Sequence, residues 1–513
     1  MKKSTKKRIL IIFAALALVL VCLGIYLQER KAAHEAAEAH LKEGNAFGRI
    51  EEYDRAIPSY TAAIEQNPKY AKAYHARGFA YLKIEKYDLA VQDISRAIEL
   101  NPYIFAAYNH RGLAYDMKGE HESAIRDYSR AIDLNAMYDK AYNNRGTAYK
   151  AKGDYESAIR DFSRALELNP ENMAACFNRG IAFDESGEYE QAIQDYSKVI
   201  EFDPSLTMAY RMRGCAYRSI GEYSRAIQDF NVVIESIPEL AAEAYYERGL
   251  TYNKKGEYKR AARDYEEAAT AYNTRGRLYS RENELDSAIH DFSRALELNP
   301  ENDSAYFYRG FAYYKKREFA SSIKDYSKAI ELDPNEADVY VNRGMAYVEI
   351  REFDLAIKDY NRAIELDPEV TSVVYLNRGS AYDLKGEHER AIEDYNKLIK
   401  LDPNNTDTFY NRGMAYDEMG EHERAIQDYD KAIELDPEYA AAFHKRGIAY
   451  DNINNKKEAV KSYKKYLDLV TDNKGSDKSP QKLYILSPDR YEENIAYVKK
   501  RINELEKEIG SYK

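Results

Sequence analysis

The dipeptide Arg-Gly returns along this chain at a nearly constant spacing of 34 residues, with its glycines at Gly78, Gly112, Gly146, Gly180, Gly214, Gly249, Gly276, Gly310, Gly344, Gly379, Gly413 and Gly447. Gly44, preceded by Glu43, extends the series one step toward the N-terminus. A fixed period of this length belongs to chains built from identical supersecondary units, each of which buries its apolar face against its neighbours. Such an array grows a long surface and no deep central pocket. The period therefore points to binding more than to catalysis.

Four offsets from each glycine carry the pattern. Four residues before it stands an aromatic (Tyr74, Tyr108, Tyr142, Tyr210, Tyr306, Phe409, Phe443), and three after it another (Tyr81, Tyr115, Phe183, Tyr313, Tyr450). Those two positions span two helical turns and share one face. Twelve after it stands Ala, replaced once by Ser322, and sixteen after it a third large apolar residue such as Tyr128, Phe162 or Ile94. These last two lie four apart and face inward from a second helix. Pro68, Pro102, Pro170, Pro204, Pro300, Pro334, Pro368, Pro403 and Pro437 then close the pairs, since proline cannot continue a helix.

This arrangement resembles the tetratricopeptide repeat family over roughly residues 33–470, with Tyr, Phe or Cys at the usual Trp position and Arg where Leu usually precedes the glycine. The resemblance implies an all-α solenoid, a right-handed superhelix of about 13 antiparallel helix pairs. The repeat also absorbs a suggestive composition. Of 49 tyrosines, 35 occupy the three aromatic offsets and the one nine after the glycine, so they are wedges between helices and not a stacking platform for sugars or bases.

Between Gly249 and Gly276 the spacing drops to 27 residues, and neither Pro nor Gly occurs from Glu257 to Arg275. Removing seven residues is nearly two helical turns, so the apolar faces stay in phase. A fused helix over 257–283 is therefore expected, dividing the array into blocks at 33–269 and 270–470; the alternative is a shortened second helix that turns tightly near Thr270. The segment DFSRALELNPEN stands at both 161–172 and 291–302, which marks duplication within the gene. Residues 471–487 read as a polar linker. A final helix over 488–510 starts at Ser487-Pro488 and spaces Tyr491, Ile495, Val498, Ile502, Leu505 and Ile509 by fours and threes. It is expected to cap the last repeat rather than to form a coiled-coil dimer.

The N-terminus differs in kind. A basic flank at residues 1–8 (Lys2, Lys3, Lys6, Lys7, Arg8) precedes an uncharged apolar run from Ile9 to Leu27. Nineteen helical residues reach about 28 Å, one bilayer core. No small-x-small cleavage site follows, and Cys22 lies inside the run, so an uncleaved transmembrane signal anchor is expected over cleavage or lipidation at Cys22. The basic flank would remain cytoplasmic and the repeats would lie across the membrane, in a periplasm if the cell is bacterial. Beyond the flank, 71 of the 76 basic residues stand against 87 acidic ones, about −16, with no basic block for a phosphate backbone. Nucleic acid is excluded as a partner on that ground.

No metal-ligand spacing, phosphate loop or nucleophile elbow is present, so no enzyme activity, cofactor or metal is expected. His121, His388 and His422 replace the tyrosine nine after the glycine. Asp stands fifteen after the glycine in eleven repeats, from Asp93 to Asp428, opposite the repeating Arg. A ladder of ion pairs along the array is expected, with Asp195 able to reach Arg179 of its own repeat or Arg213 of the next. By the family resemblance, first helices line a concave groove at offsets one and four after the glycine and two and three before it. Those offsets select Phe177, Ile181, Arg211, Cys215, Tyr246, Leu250, Phe307, Phe311, Tyr314, Tyr410, Met414 and Asp417 as protein-binding residues. The expected function is a membrane-anchored scaffold that binds apolar or basic segments of other proteins. The alternative is a structural spacer or envelope assembly component acting through length and self-association.

Overall fold

The computed structural model describes residues 28–236, 238–368, 371–472 and 488–510, together with residue 23. All regular structure among them is α-helical. The expected membrane span at 9–27 and the linker at 471–487 lie almost wholly outside the described residues; Thr471 and Asp472 belong to the preceding helix. No helix among the described residues is long and apolar enough to cross a membrane.

Each repeat is a pair of helices, typified by Met173–Glu185 and Tyr189–Phe202 in the fifth. The turn between them carries a residue seven past the framework glycine in the left-handed region, glycine at Gly187 (φ +84°) but arginine at Arg317 (φ +63°). The second helix ends in an extended residue, Asn169 (φ −141°, ψ 91°) before Pro170 and equally Asn135 (φ −146°, ψ 91°) before Ala136, so proline reinforces a stop that the repeat also makes without it.

The framework offsets pack as the pattern requires. Tyr196 is fully buried, and a Cβ on Gly180 would stand 2.8 Å from its ring. Two helix backbones meet here over an aromatic wedge, and Ala192 lies fully buried one turn before it on the same helix face.

Two compact units make up the chain, Met1–Asp264 and Tyr265–Lys513. Their boundary falls inside one continuous helix, Tyr258–Arg281, which replaces the missing loop and proline. Within each unit the first helix of a repeat touches the first helix of the following one, as Met173–Glu185 touches Thr207–Ser219, whereas no described second helix touches another. First helices therefore line the inner face. In the second unit, Pro488–Gly510 packs on Lys456–Asp472, burying Val498, Ile502 and Leu505 against Tyr463, Tyr466 and Val470. The last helix is a cap on the final repeat.

Candidate binding groove

The repeating arginine belongs to the framework. In every repeat from the second to the twelfth it makes a forked bond to the aspartate of its own repeat. Arg179 Nε donates to Asp195 Oδ2 (2.7 Å) and Nη2 to Oδ1 (2.7 Å). Its remaining nitrogen, Nη1, donates to Ser163 Oγ of the preceding repeat (3.1 Å). Arg213 is engaged elsewhere, with Asp229 and Ser197, so Asp195 pairs within its repeat. Hydrogen bonding to Asp195 raises the pKa of Arg179, keeping it charged despite partial burial. These groups are consumed in holding one repeat to the last and are not free to bind.

The expected groove residues occupy the inner face at intermediate depth. Phe177, Ile181, Arg211, Cys215, Tyr246 and Leu250 in the first unit, and Phe307, Phe311, Tyr314, Met414 and Asp417 in the second, are half-buried between adjacent first helices. Tyr410 is buried, edge-on to Tyr439 (centroids 5.2 Å apart) and tilted against Tyr429, so it packs and does not present a face. Arg218 binds the carboxylate and carbonyl oxygens of Glu247, closing that part of the inner face with an internal pair.

Further polar features on the inner face lie beside the selected residues. Asp116, Asp383 and Asp417, each four past its glycine, accept from Nδ1 of His121, His388 and His422 (2.6, 2.6 and 2.5 Å). The three histidines thus orient groove carboxylates and are more than stand-ins for tyrosine. Asp184 holds the same offset with no hydrogen-bond partner among the described residues, and burial pushes its carboxyl up to about 6 although the charge of Arg218 opposes this. Two more histidines stack face to face, His75 Nε2 lying 2.9 Å from His110 Nδ1. Burial lowers them to about 4 and about 3. No group of three or more metal-ligating side chains occurs among the described residues.

Tetratricopeptide-repeat models match residues 41–103, 117–153, 139–172, 174–206, 211–275, 276–316, 304–336, 337–370, 379–420, 406–439 and 440–469. The chain belongs to the tetratricopeptide repeat family. No relative is found among curated proteins. Among solved structures, MamA is 32% identical over 32% of this chain and 95% of its own, with a TM-score of 0.30. YrrB, described as having an unusual peptide-binding site, is 22% identical over 42% of this chain and 96% of its own, with a TM-score of 0.32. The Naa15/Naa10 assembly bound to HypK-THB matches 91% of this chain and 78% of its own at 14% identity, with a TM-score of 0.36.

Sequence reasoning on this tetratricopeptide repeat array found Asp417 but passed over Asp116, Asp184 and Asp383, which share its offset. The signal was available. Reading the offset four past glycine down every repeat isolates all of them. What the offset cannot give is which carboxylate the neighbours leave unpaired.

Proposed function

We propose that this chain is a membrane-anchored scaffold that binds segments of partner proteins on the inner face of its repeats and performs no catalysis itself. The observation that carries the reading is the inner face of repeats five and six. There Phe177, Ile181 and Cys215 are half-buried near Asp184, whose carboxylate has no hydrogen-bond partner among the described residues, a combination that a partner would complete. The acidic balance outside the basic flank favours partners with basic or apolar segments. The apolar run Ile9 to Leu27 with its lysine-rich flank would hold the array to a membrane, with the repeats on the far side from the cytoplasm.

Cross-linking in the native cells tests the binding reading, comparing the full-length protein with a version carrying Phe177→Glu, Tyr246→Glu and Phe311→Glu. A small partner set that disappears in the folded variant supports the groove. An unchanged set removes it. Carbonate extraction and protease accessibility of the repeats in sealed membranes test the anchor and its orientation. A second reading, a spacer working through length, draws on the clamp by which each arginine ties its repeat to the preceding one. A spacer would tolerate the groove charges and respond to loss of whole repeats.

A further inference from the structure

The inner face of repeats eight and nine carries a platform of aromatic rings bordered by two cations. In the first helix of the ninth repeat, Asp303–Lys315, the side chains of Phe307, Tyr308 and Phe311 are half-buried. Phe307 stands edge-on to Tyr308 with ring centroids 5.1 Å apart, and Phe307 and Phe311 rest on Tyr326, Ala329 and Val339. Arg277, one past the glycine of the eighth repeat, lies over the Tyr308 ring, 4.6 Å from its centroid. Lys315 lies over the Phe311 ring from one turn further along the same helix, 5.1 Å from its centroid. Both cations are exposed.

Neither cation has a carboxylate within ion-pair distance among the described residues, which sets both apart from the bases beside them. Two residues before Arg277, Arg275 forks Asp291. Directly after Lys315, Lys316 reaches Asp286 (2.6 Å) and Glu318 (3.1 Å). Basic side chains that serve the framework are thus tied to acids even at this spot, whereas Arg277 and Lys315 are tied to rings. A ring fixes the position of a cation without neutralising it, so each keeps its charge and its N–H donors for another group. A guanidinium stacked by its face still offers the N–H groups in its plane as a fork for a carboxylate. The acid near this stretch is Glu349 of the tenth repeat, whose charge bears on Tyr314, where Arg317 offsets part of it.

Resting on the scaffold reading, we propose that Arg277, Phe307, Tyr308, Phe311 and Lys315 form a seat for an acidic segment of a partner protein, one in which carboxylates flank an aromatic or aliphatic side chain. The apolar side chain covers the rings, and the carboxylates pair with the two cations. The charge of this stretch is opposite to that of the array as a whole, which carries about −16 beyond the N-terminal flank. A segment chosen by net charge alone would be basic, and this seat repels it. The seat thus adds a second class of partner to the basic or apolar one argued for repeats five and six.

Calorimetry on the full-length protein tests this with a synthetic peptide carrying Leu-Phe at its centre and a pair of glutamates on each side, alongside versions with glutamine or lysine in place of the glutamates. The glutamate peptide is expected to bind at least about tenfold more tightly than the glutamine one, and the lysine peptide more weakly than either. Arg277→Gln with Lys315→Gln should bring the glutamate and glutamine peptides to within about twofold of each other. Neither cation holds an ion pair in the fold, so the melting curve of that variant should stay in place. Lys316→Gln, which removes the charge of an adjacent base already paired, should leave the preference unchanged. Equal affinity for the glutamate and glutamine peptides, a preference for lysine, or a glutamate preference that survives the double variant overturns the proposal, as does an equal loss in Lys316→Gln. A single-stranded oligonucleotide that binds more tightly than the glutamate peptide, and is lost in the double variant, would make nucleic acid the occupant and likewise overturn it. In the cellular cross-linking, loss of partners with Phe177→Glu/Tyr246→Glu/Phe311→Glu but not with Arg277→Gln/Lys315→Gln defeats the acidic seat and spares the scaffold. Retention in both defeats both.

Discussion

The Arg179–Asp195 pair offers a quantitative test of how the repeats are held. Asp195 is 6% exposed and Arg179 24%, and the pair is forked. Removing one partner of a buried pair costs about 3–5 kcal/mol, because a charge is left uncompensated. Arg179 retains Ser163 and some water, which lowers the figure to about 2–3 kcal/mol for Asp195→Leu, and Arg179→Met should cost about 3 kcal/mol by stranding the more enclosed carboxylate. Together they leave no charge, so the double variant should lose less than the sum by at least about 2 kcal/mol. Asp195→Leu with Arg213→Met is the control. Arg213 bonds Asp229 and Ser197, so those effects should add to within about 0.5 kcal/mol. Urea is the denaturant of choice, since it does not screen charge. Hydrogen exchange over Met173–Glu185 and Tyr189–Phe202 supplies the local readout that a solenoid requires. Coupling below about 0.5 kcal/mol for 179 with 195, or equal coupling with 213, would refute the assignment of the pair within the repeat.

Three further outcomes follow from the same geometry. His75 and His110 are held neutral, with folded values of about 4 and about 3 against 6.5, so unfolding takes up protons between those limits. Their contribution is intact above pH 6.5 and is lost as pH falls through about 4 and about 3, several kcal/mol in all, and His75→Gln/His110→Gln should flatten that part of a urea-midpoint profile. Asp184 has the opposite sign: raised from 3.8 to about 6, it costs stability as pH climbs through that range. Asp184→Asn should therefore stabilise the protein at pH 7.5 by about 1 kcal/mol after allowance for solvent screening, read from the same titration, and loss of binding in that variant would not be unfolding. Leu505→Ala in the cap should cost about 2–4 kcal/mol and increase exchange in Lys456–Asp472, the helix it covers.

Much of this was legible from one chain because the pattern repeats. The glycine, the alanine twelve past it and the aromatic sixteen past it describe a steric fit, and Gly180 against Tyr196 meets it. The 27-residue gap between Gly249 and Gly276, free of Pro and Gly from Glu257 to Arg275, fitted a fused helix or a tight turn near Thr270, and the unbroken helix Tyr258–Arg281 decides for the first. The spacing of Val498, Ile502 and Leu505 fitted both a cap and a coiled coil, and the contacts of Lys456–Asp472 settled which face it meets. Partner choice was less legible. Sequence offsets gave Asp195 two arginines within plausible reach, and only the orientation of the guanidinium fork selects Arg179. Tyr410 shares its offset with Phe177, yet Tyr439 from the adjoining turn encloses it. Burial of a groove position depends on the side chains one repeat away, which no single-repeat pattern contains.

Most repeats carry both halves of their coupling, an arginine that reaches back to the preceding repeat and a hydroxyl or amide that receives the arginine of the following one; in the twelfth a carboxylate, Asp430, receives Arg446 instead. The twin segments at 161–172 and 291–302 show the result. Ser163 receives Arg179 at 3.1 Å and Ser293 receives Arg309 at 3.0 Å, the same bond in two contexts. A joint that recurs at most stations lets a gene lengthen or shorten by copying whole modules, without inventing a new junction each time. Inner-face residues such as Phe177 and Asp184 take no part in that joint, so they are free to diverge after each copy. Length and recognition can in this way be altered independently, as with a threaded rod on which only the fittings differ.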